Sequence, residues 1–246
     1  MKKTSWAAIA LVAVAVSWGG AFVLMKDAIE AQPFYDFLAI RFTIATAVMI
    51  LVKPSVLKAF DGPMIKHGIY LGVLLALGYI TQTIGLELST AAITGFITGL
   101  YVVLTPIFGW LIFRKKAGKR LIIGVFLATI ALALISINGV SFEVGQLWVV
   151  LCAFLFAAHI VGLSIWSPGK DVYGLTVMQL AVVGAVSWIG AFANDGSYQA
   201  PADFSGWFAV LFCAVFATAL AFLVQTWAQS LMDASRVAIL LTSEVV

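Results

Sequence analysis

Charge is what this chain has least of. Asp, Glu, Lys and Arg make up 10% of its 246 residues, against 63% hydrophobic residues. A soluble domain is closer to half apolar and a quarter charged, so one or two water-soluble domains are excluded. Cysteine is scarce too: Cys152 and Cys213 are the two in the chain, and both fall in apolar runs. They read as small apolar fillers, not as a disulfide or a metal site. No metal-ligand spacing, phosphate-binding glycine loop, dinucleotide fingerprint or nucleophile elbow occurs. No metal, no cofactor and no ATP-driven step within the chain are therefore expected.

Long apolar runs are what the chain does have. A spanning helix needs about 20 mostly apolar residues. Eight runs qualify: Trp6–Met25, Phe34–Val52, Gly68–Leu88, Ala91–Phe113, Leu121–Ile137, Gly145–Trp166, Gly174–Ala193 and Gly206–Leu231. A ninth, Ser235–Val246, begins before the sequence stops. The loops are short, leaving no room for a separate extramembrane domain. The fold class expected is an all-α polytopic membrane protein with about eight full helices and a partial ninth. The first run follows Lys2-Lys3 as a signal peptide would, but it is too long for a signal core and lacks a clear cleavage site. It is read as a retained helix.

The cations give the topology. With the N-terminus in the cytoplasm, Lys2, Lys3, Lys53, Lys58, Lys66, Arg114, Lys115, Lys116, Lys119, Arg120, Lys170 and Arg236 all fall on that side. The opposite side holds Lys26, and Arg41 lies within a span. This is the positive-inside pattern, and it places a multi-pass protein in the inner or plasma membrane. The basic run Arg114–Arg120 is read as a topology anchor; no nucleic-acid partner is expected.

Two segments repeat. Pro33–Ala45 matches Asp171–Val183 at an offset of 138, pairing Tyr35 with Tyr173 and Arg41 with Gln179. Tyr79–Ala92 matches Phe222–Ser235 at an offset of 143, pairing Gln82 with Gln225 and Thr83 with Thr226. The first copy holds five spans, an odd number, so the second must begin on the opposite side and lie inverted. Inverted repeats around a midplane site are a recurring transporter plan. The 143 offset also maps Tyr101 onto Glu244 and Val103 onto Val246. Leu104 to about Asn138 then lacks a partner, and the sequence reads as a fragment or truncated product short of half of helix nine and all of helix ten. A natural short form is the alternative. A half helix ending in hydrocarbon would leave carbonyls unsatisfied at several kcal/mol each.

Polar residues inside the spans are the candidate site. Gln82 and Gln225 stand at equivalent positions of the two copies, and intramembrane amides need partners inside the protein. They are expected to line a cavity, with Tyr79 and Thr83 on one face and Thr226 and Gln229 on the other; interhelical bonding is the alternative. Thr94, Thr98, Tyr101 and Thr105 recur at i, i+4, i+7 and i+11 on one stripe, either lining that cavity or bonding back to their own helix. Gly95 and Gly99 form a GxxxG pair expected to pack on a neighbouring helix, and Pro106 is expected to bend this helix as a gating hinge. Arg41 is the one cation well inside a span. It can counter a substrate carboxylate, bond the carbonyls of a broken helix, or pair with Glu87. Glu87 itself reads as a solvated boundary residue, with proton coupling as the other reading. His159 can relay protons or pack as a hydrogen-bonded residue. Trp18 with Gly19-Gly20 marks an expected weak point in helix one. Trp6, Trp148, Trp207 and Tyr198 read as interface anchors.

Several motifs carry a family resemblance. Ser17-Trp18-Gly19-Gly20-Ala21-Phe22 resembles the W-G-x-x-F signature of EamA-type carriers in the drug/metabolite transporter superfamily. Phe37–Phe42 is similar to that family's second-helix arginine motif, and Leu86–Gly109 to its third-to-fourth helix turn. Val215–Ala221 and Ser235–Val246 resemble its eighth and ninth helices. Two departures stand out: Val245 follows Glu244 where the family usually has Pro, and Arg114-Lys115-Lys116 replaces an acidic residue after helix four. The resemblance implies ten helices in two inverted five-helix repeats, here 1–140 and an incomplete 141–246, moving small metabolites, often amino acids or drugs. Together these readings predict a secondary carrier, not an enzyme, with substrate-cavity residues Trp18, Tyr79, Gln82, Thr83, Thr94, Thr98, Tyr101, His159, Gln179, Gln225 and Thr226. The cavity is expected among helices one, three, four, six, eight and nine. The partners expected are the bilayer, a small-molecule substrate and, if transport is active, a substrate or ion gradient such as H+. The competing readings are a membrane-embedded lipid-modifying enzyme and an inert fragment, or one that needs another subunit.

Overall fold

A computed structural model describes residues 3–113 and 144–241, together with helical positions 123, 126, 127 and 130. The helices are α1 (Lys3–Ala31), α2 (Phe34–Val52), α3 (Gly62–Glu87), α4 (Ala91–Thr98), α5 (Tyr101–Phe113), α6 (Val144–Trp166), α7 (Val172–Asp195), α8 (Phe204–Ala214), α9 (Ala221–Gln229) and α10 (Ala234–Leu241). A 3₁₀ turn, Pro54–Ala59, joins α2 to α3, and a π-helical segment, Val215–Leu220, joins α8 to α9 without a break in direction. Among the described residues, seven stretches are long and apolar enough to cross a membrane, with α4–α5 forming one and α8–α9 another. The protein is a polytopic all-α membrane protein. The predicted fifth span, Leu121–Ile137, falls mostly outside the described residues, as do Arg114–Arg120 and Glu244.

The helices begin where polar side chains cap them. Asp61 accepts from Met64 N at 2.7 Å, Asp203 from Gly206 N at 2.8 Å, and Asp171 from Tyr173 N at 3.0 Å. Thr90 accepts from Ile93 N at 3.2 Å, opening α4. Each satisfies a first-turn N–H that has no partner within its helix. Gly196 closes α7 at φ 69°, a left-handed conformation that suits glycine.

Three elements differ from the sequence reading. α1 runs for 29 residues straight through Gly19-Gly20, longer at both ends than the apolar run, with no weak point there. The fourth span breaks at Gly99–Leu100, where Leu100 N bonds Ile97 O at 3.1 Å and Val102 N bonds Gly99 O at 3.1 Å. This tightened turn precedes Pro106, which lies inside α5. The π-helical turn in the eighth span had no glycine or proline to announce it.

The described exterior exposes many large apolar side chains, while a set of polar ones is buried within an apolar core. Val16, Leu51, Ile189 and Phe204 are exposed, while Gln82, Gln179, Gln225, Gln229 and Arg41 are buried. Lipid solvates the first group; the second must find partners within the bundle. α3 packs most extensively on α6 and α7, α2 on α7, and α1 on α8, the π turn and α9. Small residues set the closest approaches. A Cβ on Gly72 would lie 2.5 Å from Val182 Cβ and 2.9 Å from Gln179 O, and one on Gly85 would lie 2.8 Å from Gly145 O. Close packing therefore runs along α3. The expected GxxxG pair does less: Gly95 meets only the Phe22 ring, at an ordinary 3.8 Å.

Candidate functional site

A cavity of about 550 Å³, its opening included, lies where the helices converge. α1 contributes Trp18, Phe22 and Met25; α3 contributes Leu75, Tyr79 and Gln82; and α6 contributes Phe156, His159 and Ile160. Thr98 and Tyr101 flank the Gly99–Leu100 break, Phe222 and Gln225 come from α9, and Leu241 comes from α10. Arg41 of α2 completes the wall. All six helices expected around a cavity contribute, and the second joins them through Arg41.

Seven of the eleven residues read as cavity candidates line it: Trp18, Tyr79, Gln82, Thr98, Tyr101, His159 and Gln225. The other four do not. Thr83 bonds back to Tyr79 O at 2.7 Å, as Thr105 does to Tyr101 O at 2.7 Å. Thr94 is buried away from the cavity with its hydroxyl unpartnered. Gln179 and Thr226 stand behind the wall: Gln179 Nε2 donates to Thr226 Oγ1 at 3.3 Å, and its Oε1 accepts from His159 Nε2 at 2.8 Å. A stripe drawn from spacing alone cannot distinguish a hydroxyl facing a space from one bonded to its own helix.

The two paired glutamines are held differently. Gln82 Nε2 donates to Thr98 Oγ1 at 3.3 Å, linking α3 to α4. Gln225 Nε2 donates to Gln229 Oε1 at 3.1 Å, and Gln229 in turn donates to Ile160 O at 2.6 Å. Gln225 Oε1 is buried without a partner. Both amides make hydrogen bonds between or along helices, and both line the cavity.

Arg41 is 2% exposed. Its Nε donates to Thr218 Oγ1 at 2.8 Å. The remaining contacts are long: Tyr79 OH at 3.4 Å, and Met25 Sδ and Ala217 O at 3.5 Å each. The guanidinium also sits 5.0 Å from the Tyr79 ring centroid and 5.4 Å from that of Phe42. Of the three roles open to it, bonding an irregular helix is the one present, because Ala217 and Thr218 belong to the π-helical turn. A π turn pairs each carbonyl five residues on and disturbs the regular ladder, so the turn needs donors from outside. Trp18 Nε1 supplies another, 2.9 Å from Ala217 O. Arg41 makes no pair with Glu87. That residue is exposed, and Lys26 bonds its carbonyl at 3.2 Å.

The liners that sequence reading missed are mostly apolar. Phe22, Leu75, Phe156, Phe222 and Leu241 carry no signal within spans that are apolar throughout. The close-packing glycines did have one: Gly68 and Gly72 are themselves a GxxxG pair.

Helices that bury polar groups around a central cavity while presenting an apolar exterior define a polytopic membrane protein with an internal cavity. The chain belongs to the EamA-like transporter family, whose model matches it twice, over residues 5–137 and 143–246. It is 33% identical over 243 residues to an uncharacterized transporter of Archaeoglobus fulgidus, covering 98% of this chain and 75% of that protein. It is 25% identical over 235 residues to the uncharacterized transporter YetK of Bacillus subtilis, covering 90% of this chain and 71% of that one. A solved crystal structure at 19% identity superposes with a TM-score of 0.70, over 98% of this chain and 85% of the other, a likeness of fold.

Proposed function

We propose that this protein is a secondary transporter for small metabolites such as amino acids or drugs. Two repeats, 1–140 with five helices and 141–246 with three full helices and part of a fourth, lie inverted in the cell membrane with the N-terminus cytoplasmic, and alternate access to the central cavity. The observation that carries the reading is an internal chamber, lined by apolar and aromatic side chains with Arg41, Gln82, Thr98, His159 and Gln225 among them, enclosed by helices with an apolar exterior, in a chain the EamA model matches twice. The packing supports the duplication. The internal copy pairs α2 with α7 and α3 with the α8–α9 span, and by order α1 with α6. Exchanging the copies turns the contacts of α3 with α6 and α7 into those of the α8–α9 span with α1 and α2, and leaves α2 on α7 as itself. Such an exchange is the movement alternating access requires. A substrate or ion gradient, H+ among the candidates, drives it.

Reconstitution into liposomes, with flux of labelled amino acids and drugs measured under imposed gradients, tests the proposal. Saturable flux that a Gln82→Leu/Gln225→Leu double variant impairs is the expected result. Turnover of lipid without flux would replace transport with enzymatic chemistry.

A further inference from the structure

The cavity has one charged liner, and that liner is poorly matched by its surroundings. Among the described residues the ion pairs are Lys26–Glu30 at 3.6 Å and Lys53–Asp171 at 3.8 Å, both made by partly exposed lysines. Buried Arg41 has no carboxylate within ion-pair distance among them. The buried acid on its own helix, Asp36, is engaged at the helix end, where Oδ2 accepts from Gln199 N at 2.8 Å. Arginine offers five N–H donors in a planar fork suited to carboxylate. Here Nε makes one short bond, Nη2 meets two neutral oxygens at 3.4 and 3.5 Å, distances at which hydrogen bonds to oxygen are weak, and Nη1 meets only the weakly accepting Met25 sulfur at 3.5 Å. A buried cation so served is stabilised by an anion.

The remaining liners narrow the chemistry. None of them is Asp or Glu, so a cationic guest would face Arg41 with no described counter-charge. Phe22, Leu75, Phe156 and Phe222 offer an apolar and largely aromatic surface. Gln225 Oε1 is an unpartnered acceptor in the wall, fit for an N–H or O–H.

We propose, on the basis of the transport reading above, that Arg41 is the anion-recognising residue of the cavity. Its substrates are organic carboxylates: a single carboxylate-like group at Arg41 and an apolar body between the aromatic rings. A donor on the substrate meeting Gln225 adds selectivity but is not required.

Four probes of similar body and different charge test this on the purified full-length protein: 3-phenylpropanoate, phenylalanine, 3-phenylpropanamide and phenethylamine. Binding is read by thermal stabilisation in detergent and by competition for tracer uptake in liposomes. The expected result is that the two carboxylates bind about tenfold or more tighter than the neutral amide, with the amine weakest. Arg41→Gln abolishes that preference and Arg41→Lys retains part of it. Should Arg41→Gln fail to fold, the wild-type series decides alone. Carboxylates binding no better than the amide, or none of the four binding, overturns the proposal. Charge-selective binding without uptake overturns the transport reading and leaves the anion site standing. Uptake that favours the amine or amide does the reverse.

Discussion

Trp18 Nε1 and the carbonyl of Ala217 meet at 2.9 Å across 199 residues of chain, joining the middle of α1 to the π-helical turn between α8 and α9. The contact explains why a tryptophan stands beside two glycines in a helix that does not break there. Its indole is the polar handle that satisfies a carbonyl displaced from the regular ladder.

Trp18→Phe keeps a ring near Phe222, whose centroid lies 5.7 Å away, and removes the donor. Ala217 O then retains the 3.5 Å contact from Arg41. Leaving a buried carbonyl so poorly served costs about 1–3 kcal/mol. Denaturant unfolding in detergent measures it, and an unchanged midpoint would show that the π turn does not depend on the indole.

Gly72→Ala places a methyl 2.5 Å from Val182 Cβ and 2.9 Å from the Gln179 carbonyl. Overpacking of this kind costs about 1–3 kcal/mol. Gly20→Ala, with nothing within 4 Å, and Gly95→Ala, 3.8 Å from a Phe22 ring atom, are tolerated. Thermal unfolding of the three variants side by side gives the ranking; equal stability would contradict the close packing of α3 on α7.

Gln82→Leu and Gln225→Leu each remove a polar liner. The expected effect is a rise of about tenfold in the concentration of substrate needed for half-maximal flux, equivalent to one lost hydrogen bond. Gln179→Leu acts differently. It removes the acceptor for His159 Nε2 from behind the wall, so it lowers stability by about 1–3 kcal/mol. If all three behave alike, the distinction between liner and support is wrong.

Tyr198, in the loop between α7 and α8, has its phenol pushed above the usual value of 10.0 by burial first and by the charge of Asp36 second. A raised folded value means the stability it contributes is complete below pH 10 and fades as pH climbs through the raised value. Asp36→Asn shifts the phenol back down. Alkaline titration of tyrosinate absorbance, with Tyr198→Phe as the difference reference, measures the shift; identical curves for wild type and Asp36→Asn would contradict the pairing.

The spans were legible because bilayer thickness sets a length that composition alone reveals, and seven of those read from the sequence coincide with described helices to within a few residues, apart from the longer ends of α1 and the start of α3. The interior was legible only through its polar residues. Gln82, Gln225, Tyr79 and His159 stood out because hydrocarbon penalises them, whereas Phe22, Phe156 and Phe222 did not, since lipid and protein solvate a phenylalanine equally well. Thr83 and Thr94 were assigned to the cavity because periodicity fixes a face but not what the face meets. The π-helical turn went unseen for a related reason: Val215–Leu220 contains no residue that forbids an ordinary helix. The side chains that bond it, Arg41 and Trp18, lie 176 residues or more away.

The glycine-flanked faces of α3 carry one further consequence. Gly68, Gly72, Gly78 and Gly85 bring its main chain so near α6 and α7 that side-chain rearrangement has almost no room at those seams. The three helices must travel as a single keel. Any rocking of the bundle is then taken up on the other flank, where α1, α5 and α10 meet through larger side chains that can change rotamer.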